Sequence, residues 1–383
     1  MLYVAGNRLT LLRNGEQYFP ALVAAIDAAR EEVFLETYIF ADDETGSLVA
    51  DALARAAARG VAVYLLIDGF GAREFAPRFR GMLREAGGQV LVFRPDLNPW
   101  QLRRSRLRRM HRKLACVDGR LAFVGGINVI DDYDAPGDTS PRHDYAVRIE
   151  GPLTAEVRAE TKKLWSRVAL TAGRMQPLPP ARAALAPFAD GLRAALVTRD
   201  SLRHRRDIED AYLELVEAAR EEILIANAYF FPGRRFRQAL VGAAQRGVRV
   251  VLLVQGLVEY VVPHYASRAL FGSLLAAGIR IEEYRHSFLH AKVAVFDCRQ
   301  ACVGSSNIDP YSLLLAREAN VFVDDERFAA ELRASLKEAM RTGARSLPPQ
   351  EWKRRSLWRR AWSWIAYGIA RLLIGFASYE RYH

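Results

Sequence analysis

One polar cassette occurs twice in this chain. His111-x-Lys113-x4-Asp118-x6-Gly125-Gly126-x-Asn128 returns 179 residues later as His290-x-Lys292-x4-Asp297-x6-Gly304-Ser305-x-Asn307. Five identities at one offset arise by accident on the order of once in a million trials, at roughly one in fifteen per position. Duplication for stability alone would preserve an apolar pattern rather than a paired His and Lys. On a strand, residues two apart point to the same face, so each pair can present an imidazole and an ammonium to one phosphate. Each pair is half of an active site. An internal pseudo-twofold would let two imidazoles flank one phosphorus atom, one attacking and the other protonating the departing oxygen.

The repeat extends beyond the cassettes. Ala29 to Leu35 is echoed by Ala219 to Ile225, each a helix end entering an apolar strand that continues to Tyr38 and Tyr229. Arg59 to Leu66 is matched by Arg246 to Leu253, where Gly60 and Gly247 read as helix stops before a buried strand. The intervening helices, about 46–59 and 236–246, have the length of crossover connections, so mainly parallel pairing covered on both faces is expected. Pro177, Pro179, Pro180 and Pro187 mark a linker. The expected division is residues 1–175, a Pro-rich linker at 176–190, a second domain at 191–345 and an amphipathic segment at 346–383.

With 383 residues and 51% hydrophobic content, the chain can bury two cores. A net charge of +11 calls for an acidic partner, either nucleic acid or an anionic membrane surface. Three cysteines, Cys116, Cys298 and Cys302, form no CxxC pair, so neither a disulfide framework nor a zinc site is expected. No metal or other cofactor is expected, and a reducing, cytosol-facing location fits. The N-terminus has no basic region followed by an apolar stretch, as a signal peptide would.

Two segments look made for a membrane surface. Arg103, Arg104, Arg106, Arg108, Arg109 and Arg112 crowd the approach to His111 and suit a headgroup or phosphate clamp. Near the C-terminus, Trp358, Trp362, Ile365, Ile369, Leu372 and Phe376 follow a helical spacing that makes one apolar stripe. Arg371 interrupts the charge-free run, so an interfacial helix is expected rather than a spanning one; packing onto the domain is the alternative.

A phosphodiester resists attack, so catalysis must neutralise its nonbridging oxygens, supply a nucleophile and protonate the leaving alkoxide. Lys113 and Lys292 supply ammonium groups, and the amides of Asn128 and Asn307 are further donors. One imidazole must start neutral and the other protonated. Each needs an acceptor at its second nitrogen, and Asp144 and Glu318, each preceding an apolar strand, are candidates. Asp118 and Asp297, cassette members seven residues past the histidines, lie too far along a strand to touch the same phosphate and are expected to anchor a turn or pair with a base. Gly125, Gly126, Gly304, Ser305 and Ser306 suit a turn where backbone approaches substrate closely.

These cassettes resemble the HxKx4Dx6GG/GSxN motifs of the phospholipase D superfamily over nearly the whole chain. Within it, Asn14 to Pro20, Leu35 to Ile39, Gly304 to Pro310 and Glu318 to Asn320 resemble bacterial cardiolipin synthases, most closely those of the B type. The resemblance implies an α/β fold of two pseudo-symmetric α/β/α sandwich domains around a shared site, and transphosphatidylation through a phosphohistidine. It also implies that His111 attacks one phosphatidylglycerol while His290 protonates the released glycerol, then deprotonates a second phosphatidylglycerol to give cardiolipin. Longer members of the superfamily begin with two membrane-spanning helices that this sequence does not show, so the tail and the arginine-rich segment are expected to take over attachment on the cytoplasmic side. The expected partners are anionic phospholipid and a membrane surface, with nucleic acid disfavoured by the Trp-rich tail. A phospholipase D-type hydrolase or nuclease is the alternative, and a noncatalytic adaptor is disfavoured because no cassette residue is missing.

Overall fold

Short apolar runs that follow helix stops set the architecture. A computed structural model describes residues 1–73, 75–95, 108–133, 140–175, 177–180, 183–200, 204–258, 261–309, 316–353, 362–363 and 365–369. The first half comprises β1 (Val4–Arg13), α1 (Asn14–Ala28), β2 (Glu32–Thr37), α2 (Glu44–Ala58), β3 (Ala62–Asp68), α3 (Pro77–Glu85), β4 (Gln89–Phe93), β5 (Lys113–Val117), β6 (Leu121–Gly125), β7 (Ser140–His143), β8 (Tyr145–Glu150) and α4 (Thr154–Thr171). The second comprises β9 (Leu192–Arg199), α5 (Asp207–Ala218), β10 (Glu222–Asn227), α6 (Arg234–Gln245), β11 (Arg249–Gln255), α7 (Val261–Ala276), β12 (Arg280–Tyr284), β13 (Ser287–Leu289), β14 (Lys292–Phe296), β15 (Gln300–Gly304), β16 (Glu318–Asp324) and α8 (Glu326–Gly343). β17 (Ala344–Ser346) and α9 (Pro349–Lys353) follow.

The two halves share one strand order. The first runs β1-β8-β6-β5-β2-β3-β4 and the second β9-β16-β15-β14-β10-β11-β12-β17. Antiparallel pairing of β1 with β9, through Val4 opposite Ala194 and Asn7 opposite Leu192, joins them into a 15-stranded sheet. The helix stops fall where the glycines place them: Gly60 and Gly247 have φ of 87° and 90°, left-handed values that glycine adopts without strain.

The expectation of mainly parallel pairing is corrected. Only β2-β3-β4 and β10-β11-β12 run parallel within the large sheet, whereas β5, β6 and β8 and their counterparts β14, β15 and β16 pair antiparallel. Crossover helices serve only β2, β3 and β4 and their counterparts β10, β11 and β12. The cassette strands are instead joined by tight turns, which dictate antiparallel neighbours.

Three apolar clusters give the layers. One lies between the halves, where Leu114, Val124 and Val147 meet Val293, Val303 and Val321 under α4 and α8. The other two lie outside, beneath α1 to α3 in the first half and α5 to α7 in the second. Facing strands β15 and β16 pack on β6 and β8, which brings the two cassette strands to one seam.

Candidate active site

His111 and His290 stand just before β5 and β14, and the backbone of the opposite half holds each in place. His111 N–H donates to the Arg317 carbonyl at 2.9 Å, and His290 N–H donates to the His143 carbonyl at 2.9 Å. β7 and β13 pair in parallel across the seam, as Met110 does with Arg317. The side chains repeat this exchange. His111 Nδ1 lies 3.0 Å from Glu318 Oε1, and His290 Nδ1 lies 2.6 Å from Asp144 Oδ2. Each imidazole is therefore oriented by a carboxylate of the other half. Sequence reasoning found both carboxylates but not the crossing, because one chain carries no record of which half faces which.

The carboxylates are sealed from water while the imidazoles retain a little exposure: 0% and 5% for Glu318 and Asp144 side chains, 14% and 17% for His111 and His290. With Nδ1–H donating to a carboxylate, the lone pair sits on Nε2. Burial pushes His111 down in pKa, opposed by Glu318 and reinforced by the ammonium groups of Lys113 and Lys292, so the ring is held neutral. Burial also pushes Asp144 up to about 6, against the pull of Lys292 and Lys113. Lys113 is pushed down to about 7 by burial, against the pull of Glu318. These mutual influences tie the two lysines, His111 and both carboxylates into one electrostatic cluster. Lys113 Nζ donates to the His111 carbonyl at 2.5 Å, and Lys292 Nζ donates likewise to that of His290.

The cassette aspartates sit at the far ends of the hairpins. Asp118 accepts from the backbone N–H of Arg30, Glu31 and Glu32 at 3.0, 2.8 and 2.9 Å. Asp297 accepts from Arg220, Glu221 and Glu222 at 2.8, 2.8 and 3.0 Å. They clamp the start of β2 and β10 and do not join the catalytic group, although the motif places them beside it in sequence.

The glycine and serine positions also differ from expectation. A Cβ on Gly126 would lie 2.4 Å from Asp144 Oδ1, so this glycine makes room for the carboxylate rather than for substrate. At the matching position, buried Ser305 donates its hydroxyl to Glu318 Oε2 at 2.5 Å. Buried Ser306 bonds the Asn307 carbonyl at 3.4 Å. Ser305 thus backs the carboxylate that orients His111, and both serine side chains are buried. Asn128 accepts Ile39 N–H at 3.1 Å through Oδ1, leaving its amide nitrogen as the donor end, and Asn307 is similarly buried.

Comparison with known proteins places this geometry. The family model described as "Cardiolipin synthase, PLD-like domain" matches residues 22–165 and 212–340. Cardiolipin synthase B of Escherichia coli K12 is 36% identical over 376 residues, covering 96% of this chain and 88% of that protein. The major cardiolipin synthase ClsA of Bacillus subtilis is 30% identical, covering 97% of this chain and 76% of that protein. The chain belongs to the phospholipase D-like cardiolipin synthase family. Solved structures support the fold: phosphatidylserine synthase of Haemophilus influenzae superposes with a TM-score of 0.67 at 12% identity, covering 95% of this chain and 93% of that one. Polyphosphate kinase of Porphyromonas gingivalis does so with a TM-score of 0.58 at 16% identity, covering 97% of this chain and 53% of that one.

In this family member the arginine-rich approach to His111 is not a uniform clamp. Arg112 is buried and paired with Glu36 at 2.6 Å, and Arg109 is buried with a guanidinium nitrogen 3.8 Å from Asp68. Both brace the strand before the site, so neither is a membrane contact. Arg108 is partly exposed, while Arg103, Arg104 and Arg106 lie outside the described residues. Of the tail stripe, Trp358, Leu372 and Phe376 also lie outside the described residues. Trp362, Ile365 and Ile369 are 61%, 50% and 43% exposed, whereas Ser363 and Ala366 are buried and Tyr367 packs on Phe231. The helix docks by the face opposite its stripe.

Three contributors escaped sequence reasoning. Tyr38 sets its ring 5.0 Å from that of His111, edge on. Asp68 accepts Met110 N–H at 2.9 Å, fixing the residue before the imidazole. Glu36 neutralises buried Arg112. The signal available was the pair Leu35 to Ile39 and Asp68 at the ends of apolar strands, where binding residues collect in α/β folds.

Proposed function

We propose that this protein is a phosphatidyltransferase that converts two phosphatidylglycerol molecules into cardiolipin and glycerol through a phosphohistidine. The observation that carries the reading is the crossed pairing of His111 with Glu318 and His290 with Asp144, which aims two imidazoles at one seam. In the first step the Nε2 lone pair of neutral His111 forms a bond to phosphorus. The phosphorus–oxygen bond to glycerol breaks, and the departing oxygen takes the proton on Nε2 of His290. In the second step a glycerol hydroxyl of another phosphatidylglycerol gives its proton to His290 and its oxygen to phosphorus, and the bond to His111 breaks. One phosphodiester replaces another, so no nucleotide activation enters. Lys113 and Lys292 balance the charge on the nonbridging oxygens, and Asn128 and Asn307 add amide donors.

The reading carries a location with it. Among the described residues no helix is long and apolar enough to cross a membrane. The outward stripe of Trp362, Ile365 and Ile369 suits insertion at headgroup depth, with the +11 charge drawing the protein to anionic lipid. We read the protein as attached peripherally, on the cytoplasmic side, with residues 1–175 and 191–345 as the two catalytic domains and 176–190 as their linker.

Purified protein incubated with phosphatidylglycerol vesicles, with and without added glycerol, tests the proposal by product mass. Cardiolipin, suppressed by excess glycerol, is expected. Phosphatidic acid alone would mean a hydrolase, and no product would reject both.

A further inference from the structure

The pseudo-twofold breaks down at one buried position beside the orienting carboxylates. β9 pairs with β16 so that Arg199 stands opposite Glu318. In the first half Arg13 stands opposite Tyr145, which brings Asn14 to Asp144. There Asn14 N–H donates to the Asp144 carbonyl at 2.9 Å, and Asn14 Oδ1 accepts Asp144 N–H at 3.1 Å. One carboxylate therefore has a neutral amide across the strand and the other has a guanidinium. Residues directly opposite on antiparallel strands share a face, with Cβ atoms about 5 Å apart, so the Arg199 side chain starts beside the carboxylate that holds His111.

Arg199 is 1% exposed, and it is not matched as the other buried arginines are. Arg112, Arg158 and Arg268 each meet a buried glutamate, respectively Glu36, Glu32 and Glu283. Arg199 turns to the backbone instead. Its Nη1 donates to the Ala316 carbonyl and its Nε to the Arg205 carbonyl at 3.3 Å, while Nη2 is buried with no hydrogen-bond partner. Burial pushes the group down to about 10, with Glu318 the strongest pull the other way, so it stays a cation. A buried charge so incompletely matched works against folding, and its place has its reason in the chemistry.

Its anchor shows what that reason is. Ala316 directly precedes Arg317, whose carbonyl takes His111 N–H, and then Glu318, whose carboxylate takes His111 Nδ1. Arg199 thus grips the short segment that holds His111 by backbone and by side chain. The charged groups that face His111 are Glu318 from β16, Lys113 from β5 and Lys292 from β14. Arg199, from β9, draws on the same Glu318. A second cation on that carboxylate weakens its hold on an imidazolium and favours the neutral ring.

We propose that Arg199 is a positioning residue that divides the roles of the two imidazoles: acting through Glu318, it keeps His111 unprotonated and ready to attack, while His290, whose carboxylate meets Asn14, carries the proton. The proposal rests on the transfer reading above and adds what makes one ring the nucleophile in a duplicated site.

Reaction of neutral imidazole with diethyl pyrocarbonate, followed against pH by peptide mass in the whole protein, reads each ring whether or not a variant is active. In Arg199→Gln, which keeps donors and loses the charge, the His111 midpoint is expected to rise by about half a unit to one unit. The His290 midpoint should stay in place, and the acid limb of kcat/KM for cardiolipin formation should move up with His111. Arg199→Lys is expected to restore the wild-type midpoint, and Arg199→Met serves if Arg199→Gln does not fold. A residue that merely scaffolds the site would lower kcat and leave the midpoint alone. An unmoved His111 midpoint in a folded neutral variant, or an equal rise in Arg199→Lys, overturns the proposal. Wild type that makes no cardiolipin rejects the transfer reading itself, and the division of roles with it.

Discussion

The surroundings of His111 and His290 diverge although the strands carrying them match in order and register. His111 is closed in: Tyr38 stands 5.0 Å away, the buried Arg112–Glu36 pair lies behind it, and Ser305 and His111 both bond Glu318. At the matching places the second half has Ala228, Ala291 and Ala226, and Asp144 is met by Gly126, which offers no hydroxyl. A duplicated scaffold thus fixes where two imidazoles meet, while the residues packed behind them set what each does. An attacking ring gains from a rigid, dry setting that keeps it neutral. A ring that exchanges protons with a departing and then an arriving alcohol is instead flanked, at those places, by the small side chains of Ala226, Ala228 and Ala291.

Several variants would break or sharpen this contrast. His111→Ala and His290→Ala should each reduce cardiolipin formation at least about 10⁴-fold, and the double variant should be no worse than the worse single one, since the two rings act as a unit. Rates by product mass alongside unfolding curves check this; additive losses would mean two independent sites. Glu318→Gln and Asp144→Asn should follow, each costing about 10²-fold or more through a mis-set tautomer, with Glu318→Gln the more severe because Glu318 also takes the Ser305 hydroxyl. Equal losses would erase the difference between the halves. Gly126→Ala should disturb the site more than Ser305→Gly, because it drives a methyl to 2.4 Å from Asp144 whereas the latter removes one hydrogen bond. A crystal structure and rate for each variant give the comparison.

The dependence on pH follows from Lys113. Its amine, pushed down to about 7, is an ammonium below that pH, so the rate constant for free enzyme and substrate, kcat/KM, should fall as pH rises through about 7. Lys113→Arg, charged throughout, should remove that limb. Stability should move the other way. The unfolded chain keeps this proton up to about pH 10.4, so between about 7 and 10 the folded state has lost a proton that the unfolded state retains, and stability rises with pH. The smallest effect belongs to the periphery: Trp362→Ala should weaken partitioning onto anionic vesicles about tenfold and leave thermal stability unchanged. A lowered melting temperature with unchanged partitioning would make the stripe ordinary packing.

Much of this was legible in the sequence because polar identities at a fixed offset survive any folding. The cassettes, both orienting carboxylates and the helix stops at Gly60 and Gly247 could be read directly. What could not be read depended on contacts between halves. The crossing of Asp144 to His290 and of Glu318 to His111 exists only once β6 and β8 face β15 and β16. The arginines near His111 looked like one patch, yet Arg112 and Arg109 find Glu36 and Asp68 on strands distant in sequence. Spacing along β5 and β14 did separate Asp118 and Asp297 from the imidazoles, since their distance along an extended strand follows from geometry alone.

The central claim is that rings from both halves act on one phosphorus atom, with His111 attacking. Wild-type enzyme turning over phosphatidylglycerol, quenched in alkali and analysed by peptide mass, should carry a phosphatidyl adduct on the peptide containing His111. Turnover with no adduct on either histidine, or with the adduct on His290, would contradict it.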